Sequence, residues 1–553
     1  MKIKFLLALF MSCALGLSAQ GYLDGIEYYR ADQYANARSI FERTLNDADT
    51  DKSVSYYYLG QLAIKYQEFD KALEYFNKGI EANPNNGYNY VGLAALELKK
   101  GNKKEAENHI KTAKKLSKKD AQLLIDVARA YYNADSKNYR KNIEKTLKDA
   151  YKINPEEPDY YLFLGDTVIV KATNNRELGD AAAHYDMAIN FARNNSNKSA
   201  YTVVKYSSLY EKLNPEYAIS SMREYLATNP NSALAQRELA ERLYNQRMYD
   251  EAAEEYGKYI KMPGHFADDE ERYAILLFTS NKFNESFEAA KKAATITKDP
   301  FVMERIMFYS KAGLKDYAEA YKYGKAFFEK YPDPKTHSKI DFYYYATTTE
   351  NLARTDTANA TAHINTAIDS YKNMIAIDST DISAYKSLAS VYHANKDFAN
   401  AISYTEKYIA IAGEAKDSDY RLLATILADN ADAETDEVKK AELKARALET
   451  IDKAVEVTKS PYVARAAGLL YYQVQGQYTA DFEKNFLKSL SLLDASKDFY
   501  TKNASDVYKN VLRSLGVYYY NSDNLEKAKE MFTRYIEFAP EDAQISNILS
   551  KMQ

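Results

Sequence analysis

Apolar residues along this chain recur at intervals of three, four and seven, on both sides of short breaks at Asn, Asp or Gly. That spacing lays one apolar stripe along a helix, so the pattern predicts pairs of amphipathic helices joined by tight turns. The pairs are copies of one another. One stretch reads Tyr56, Leu59, Gly60, Phe69, Ala72, Phe76, Gly79, Ile80 and Pro84; at matching offsets come Tyr385, Leu388, Ala389, Phe398, Ala401, Tyr408 and Ile409, then Leu515, Gly516, Leu525, Ala528, Phe532, Ile536 and Pro540. A small residue stands eight positions into many copies (Gly60, Ala94, Ala128, Gly165, Ala240, Ala389, Gly516), where bulk would separate the helices. Proline closes several second helices, at Pro84, Pro155, Pro230, Pro332 and Pro540, because its ring cannot continue a helix.

These residues resemble the tetratricopeptide repeat, a helix-turn-helix unit of about 34 residues. Copies begin near residues 18, 53, 87, 121, 158, 199, 233, 267, 301, 339, 382, 417, 461 and 509, about fourteen in all, with Tyr or Leu in place of the family's Trp. The resemblance implies an all-α solenoid, a right-handed superhelix whose first helices line a concave groove. The array is expected over residues 20–541. Insertions interrupt it around Asn174 to Gly179, Arg354 to Ala362 and Asp429 to Lys440, and 354–362 is the expected meeting point of two sub-arrays. Residues 542–553, with Ile545, Ile548 and Leu549 on one side, are the expected capping helix.

The N-terminus changes the picture of where the array works. Lysines at positions 2 and 4, an apolar run and the small pair Ser18 and Ala19 read as a secretory signal peptide over residues 1–19. Export is therefore expected, to a bacterial periplasm, with an outer-membrane lipoprotein anchored through Cys13 as the alternative. With a formal charge of −4 the chain has no global positive field, which excludes nucleic acid as the expected partner.

Candidate chemistry is sparse. The six histidines (His109, His184, His265, His337, His363, His393) stand far apart, without HExxH or His-x3-His spacing. No nucleophile elbow, Gly-rich phosphate loop or CxxC is present, so neither metal, cofactor nor catalysis is expected. The acidic stretch Asp429, Asp432, Glu434, Asp436 and Glu437 lacks the Gly and closing Glu of a calcium loop. Lys99, Lys100, Lys103, Lys104, Lys111, Lys114, Lys115, Lys118 and Lys119 make a local basic run, read as a solvated face with membrane-surface contact as its alternative.

Many of the 52 tyrosines fall at core offsets. The resemblance implies that first-helix positions two, five, nine and twelve face the groove. Position five then supplies Tyr57, Arg237, Lys386 and Arg513, and position twelve supplies Tyr244, His393 and Tyr520. The terminal-carboxylate clamp of chaperone-binding members is absent, since its pairs here are Tyr57 with Gln61, Val91 with Ala95 and Lys386 with Ser390. The expectation is a non-enzymatic protein-interaction scaffold of the bacterial cell envelope. The alternatives are a glycan-binding or hydrolytic envelope component and a lipoprotein subunit of a secretion or assembly machine.

Overall fold

The computed structural model describes residues 21–193, 196–262, 265–413 and 415–552; the expected signal peptide and Cys13 lie outside the described residues. Among the described residues there are 30 α-helices and no strand. The chain divides into two compact units between Met307 and Phe308, inside the helix Phe301–Gly313. In the first unit eight helical hairpins follow in order, from α1 (Gly21–Arg30) with α2 (Tyr34–Thr44) to α15 (Ala267–Thr279) with α16 (Phe283–Ala293). In the second, five hairpins run from α19 (Lys339–Leu352) with α20 (Ala360–Ile377) to α28 (Ser505–Asn521) with α29 (Leu525–Ile536). The division expected at 354–362 is not there. Those residues form the connection from α19 and the first turn of α20 within one hairpin, where His363 pairs with Asp356 at 3.0 Å.

Each hairpin begins and turns for local reasons. Asp51 accepts a hydrogen bond from the Val54 N–H, and Asp120 accepts one from Leu123 N–H, each satisfying an orphan donor of a first helix. At the turn one residue takes a left-handed backbone, as at Gln67 (φ 62°), Gly101 (φ 82°), Lys396 (φ 61°) and Asp523 (φ 55°). That single step lets Glu68 N–H reach back to Ala63 O at 2.8 Å and reverses the chain. The small residue eight positions in meets its own hairpin: a Cβ on Gly60 would stand 2.3 Å from the Phe76 ring, and one on Gly516 2.4 Å from Phe532. An aromatic ring of the second helix lies where a side chain would have been.

The insertions extend second helices. Asn174 caps α10 (Asn175–Ala192) and Asp436 caps α24 (Glu437–Val457), so Asp436 and Glu437 of the acidic stretch place their charge at a helix start. The last helix, α30 (Ala543–Lys551), packs on α29 and buries Ile545.

The first unit closes on itself. Helix α1 packs against α11 (Ser196–Leu213) and α13 (Ala233–Asn245), from the sixth and seventh hairpins. Tyr28 meets the Phe266 ring edge-on at 5.6 Å, Lys205 pairs with Asp32 at 2.8 Å, and Gln33 bonds Glu238.

Candidate interaction faces

This closure decides which groove positions of the first unit are available. Arg30, at the end of α1, has a side chain only 5% exposed and donates to both oxygens of Asp126 on α7 (Ala121–Asp135), at 2.9 and 2.8 Å. It also reaches Asp159 on α9 (Pro158–Ile169) at 3.4 Å and the Tyr58 hydroxyl at 3.3 Å. Tyr201 donates to Asp159 at 2.7 Å, and Lys198 stands 3.5 Å from it. Lys205 bridges Asp32 and Asp166, each at 2.8 Å. Burial would push the Asp159 carboxyl up, yet Arg30, Lys198 and Arg129 together hold it down to about 2. Burial likewise disfavours the Arg30 cation, and Asp126, Tyr58 and Asp159 together outweigh it, so the guanidinium stays charged.

Two expected contact residues are consumed by this packing. Tyr57 is buried, and its hydroxyl donates to Asp126 at 3.1 Å. Arg237 bonds Asp269 at 3.0 Å and stacks over Phe266 at 5.9 Å, on the ring that Tyr28 also touches. Both serve the inside of the first unit, Tyr57 among the stacked first helices and Arg237 beside the ring on which the first hairpin rests. Tyr244 stays at the surface, 38% exposed, with Arg272 over its ring at 6.0 Å.

The second unit keeps its positions more open. Lys386 on α21 (Ile382–Ala394) pairs with Asp419 on α23 (Asp417–Ala433) at 2.7 Å, with its ammonium 5.0 Å from the Tyr408 ring. Seven residues on, His393 meets Asp429 of the same neighbour at 2.8 Å. These pairs tie adjacent first helices together while leaving both side chains in contact with water. Arg513 and Tyr520, again seven apart on α28, are exposed, Tyr520 by 44%. Arg513 has no carboxylate within 4.0 Å among the described residues.

Sequence reasoning missed Arg30, Asp126, Arg129, Asp159, Asp166 and Lys205. Part of the signal was present: counting from residues 121 and 158 makes Arg129 and Asp166 position nine and Asp159 position two. Their pairing was not readable, since Arg30 finds its partners 96 and 129 residues away.

The register of the second hairpin is that of a known repeat: the family model described as Tetratricopeptide repeat matches residues 53–86. Residues 53–86 carry a tetratricopeptide repeat. The chain is 26% identical over 242 residues to a TPR repeat-containing protein of Methanocaldococcus jannaschii, a match covering 43% of this chain and 42% of that relative. Among solved structures it is similar to the C-terminal part of a TPR repeat-containing protein from Cytophaga hutchinsonii, at 16% identity and a TM-score of 0.41, covering 50% of this chain and 98% of the other. A chain of the APC/C hetero-tetramer Cut9-Hcn1 aligns at 14% identity and a TM-score of 0.27, covering 97% and 98%.

The basic run occupies α6 (Lys103–Leu116) and its flanks. Its lysines are exposed except Lys114, half-buried, whose ammonium pKa burial pushes down. Among the described residues no helix is long and apolar enough to cross a membrane, and no three His, Cys, Asp or Glu side chains converge as metal ligands would.

Proposed function

We propose that the protein is a non-enzymatic scaffold that holds protein segments against the first helices of its second unit, and that it does so in a bacterial envelope after export. The observation that carries this reading is the contrast between equivalent positions. Tyr57 and Arg237 are locked inside the first unit, whereas Arg513 and Tyr520 stand exposed on one face of α28. Arg and Tyr are the side chains that dominate interface hot spots. Lys386 and His393 present a second pair of polar side chains at the same spacing. A face already shaped by helix stacking needs little reorganisation, so an extended partner gains affinity by adding contacts along it. Export rests on residues 1–19, and the exposed lysines of α6 add a surface suited to anionic headgroups.

The test is crosslinking in intact source cells, capture of the full chain and mass spectrometry, beside an Arg513→Ala/Tyr520→Ala variant. A small reproducible set of envelope proteins that the variant loses supports the scaffold. The same set with both chains, or no enrichment with either, overturns it. Palmitate labelling at Cys13 separates a free exported chain from a lipid-anchored one.

A further inference from the structure

Beside the buried network the first unit holds a cavity of about 880 Å3, within the size range of small-ligand sites. Its walls combine two kinds of surface. Ile64, Phe69, Leu162, Phe163 and Ile169 supply an apolar floor, and five cations line it. Two of these cations are matched within the protein: Arg30 by Asp126 and Asp159, and Lys205 by Asp32 and Asp166. Lys65 and Lys99 are not balanced in this way. Lys65 stands 4.0 Å over the Tyr34 ring, and Lys99 donates to the carbonyl of Asn133; neither has a carboxylate within 4.0 Å among the described residues. Arg129 lies over Phe163 at 5.8 Å, shares Asp126, 3.6 Å away, with Arg30, and is also held charged by Asp166 and Asp159. Counted together, the five cations face Asp32, Asp126, Asp159 and Asp166, so one positive charge is left over, and it lies with Lys65 and Lys99 next to the apolar walls.

We infer that this cavity binds a small organic anion, a carboxylate carried on an aromatic or long aliphatic body. The anion would meet Lys65, Lys99 and Arg129, and the body would lie against Ile64 and Phe163. A small ligand is favoured over an extended segment because α1 packs across to α11 and α13 and fills the path such a segment would follow. The inference concerns the first unit and stands apart from the protein-binding face of the second.

The test uses purified full chain with anilinonaphthalene sulfonate as fluorescent probe, displaced by decanoate, by decanol or by an extended acidic peptide. Decanoate is expected to displace the probe and decanol to fail. Arg129→Gln and the double variant Lys65→Gln/Lys99→Gln are expected to weaken decanoate about tenfold, the worth of one charge-assisted contact. Lys261→Gln, an exposed lysine outside the cavity, serves as control and leaves it unchanged. Melting curves establish that each variant folds; the two lysines are exposed, so the double variant keeps the test valid if Arg129→Gln does not fold. Equal displacement by decanol, unchanged affinity in the folded variants, or displacement by the acidic peptide at least as strong as by decanoate each overturns the inference.

Discussion

Replacing Arg30 with methionine keeps an unbranched apolar stem and takes the guanidinium away from two buried carboxylates. The guanidinium makes two bonds to Asp126, at 2.9 and 2.8 Å, and one to Asp159 at 3.4 Å, with both partners 5% exposed or less. Removing one member of a buried ion pair costs about 3–5 kcal/mol, chiefly from the charge left behind. Here Asp159 keeps Tyr201 at 2.7 Å and Lys198 at 3.5 Å, and Asp126 keeps Tyr57 at 3.1 Å and Arg129 at 3.6 Å. The lower end therefore applies, about 3 kcal/mol. The loss falls on the contact of the first hairpin with the rest of its unit, so the assay is hydrogen exchange followed by mass spectrometry on the full chain. Amides of α1 and α2 are expected to exchange on the order of 100-fold faster, and those of α28 and α29 at unchanged rates. The effect depends on pH with a definite sign. Asp159 is held at about 2, below its ordinary 3.8, so its pairing contributes about 2 kcal/mol above pH 4, and this is lost as pH falls from 3.8 towards 2. The gap between wild type and variant must then narrow over that acid range. Adding Asp126→Leu to Arg30→Met should recover part of the loss, because no unpaired charge remains at that position. An acceleration under about fivefold, or one spread equally over both units, would refute the reasoning.

Three further outcomes follow from local geometry. Gly60→Ala places a methyl 2.3 Å from the Phe76 ring and should cost about 1–3 kcal/mol in thermal melting, with Phe76→Leu restoring part of it. Lys396→Gly relieves a left-handed backbone at φ 61°; about 1–2 kcal/mol of strain against up to about 1 kcal/mol of glycine entropy leaves a gain near 0.5 kcal/mol, read as a higher urea midpoint. Burial, and then Asp24, push the Glu27 carboxyl up to about 8, above its ordinary 4.5. The folded state therefore binds this proton more tightly than the unfolded one, and stability falls as pH rises from 4.5 through 8. Glu27→Gln should thus gain on wild type in melting temperature between pH 5 and pH 9; an equal difference at both would show that ionisation is not the cause.

The sequence by itself determined the all-α class, the repeat and its phase, down to the small residue opposite Phe76 and the start of α7 near residue 121. Everything that makes a hairpin is contained in one copy: an apolar stripe, an Asp or Asn cap, and a turn residue that accepts a left-handed backbone. It also placed Arg513 and Tyr520 on a shared face, because a spacing of seven is a property of the helix alone. The division at 307/308 and the fate of Tyr57 and Arg237 were settled only by tertiary structure. Closure of the first unit brings Arg30 to Asp126 and Asp159, Asp32 to Lys205 and Gln33 to Glu238, across 96 to 205 residues. Each of those side chains, read in its own copy, is an ordinary polar residue on a helix. Their pairing depends on how several small rotations between stacked hairpins add up, a sum that no single copy encodes.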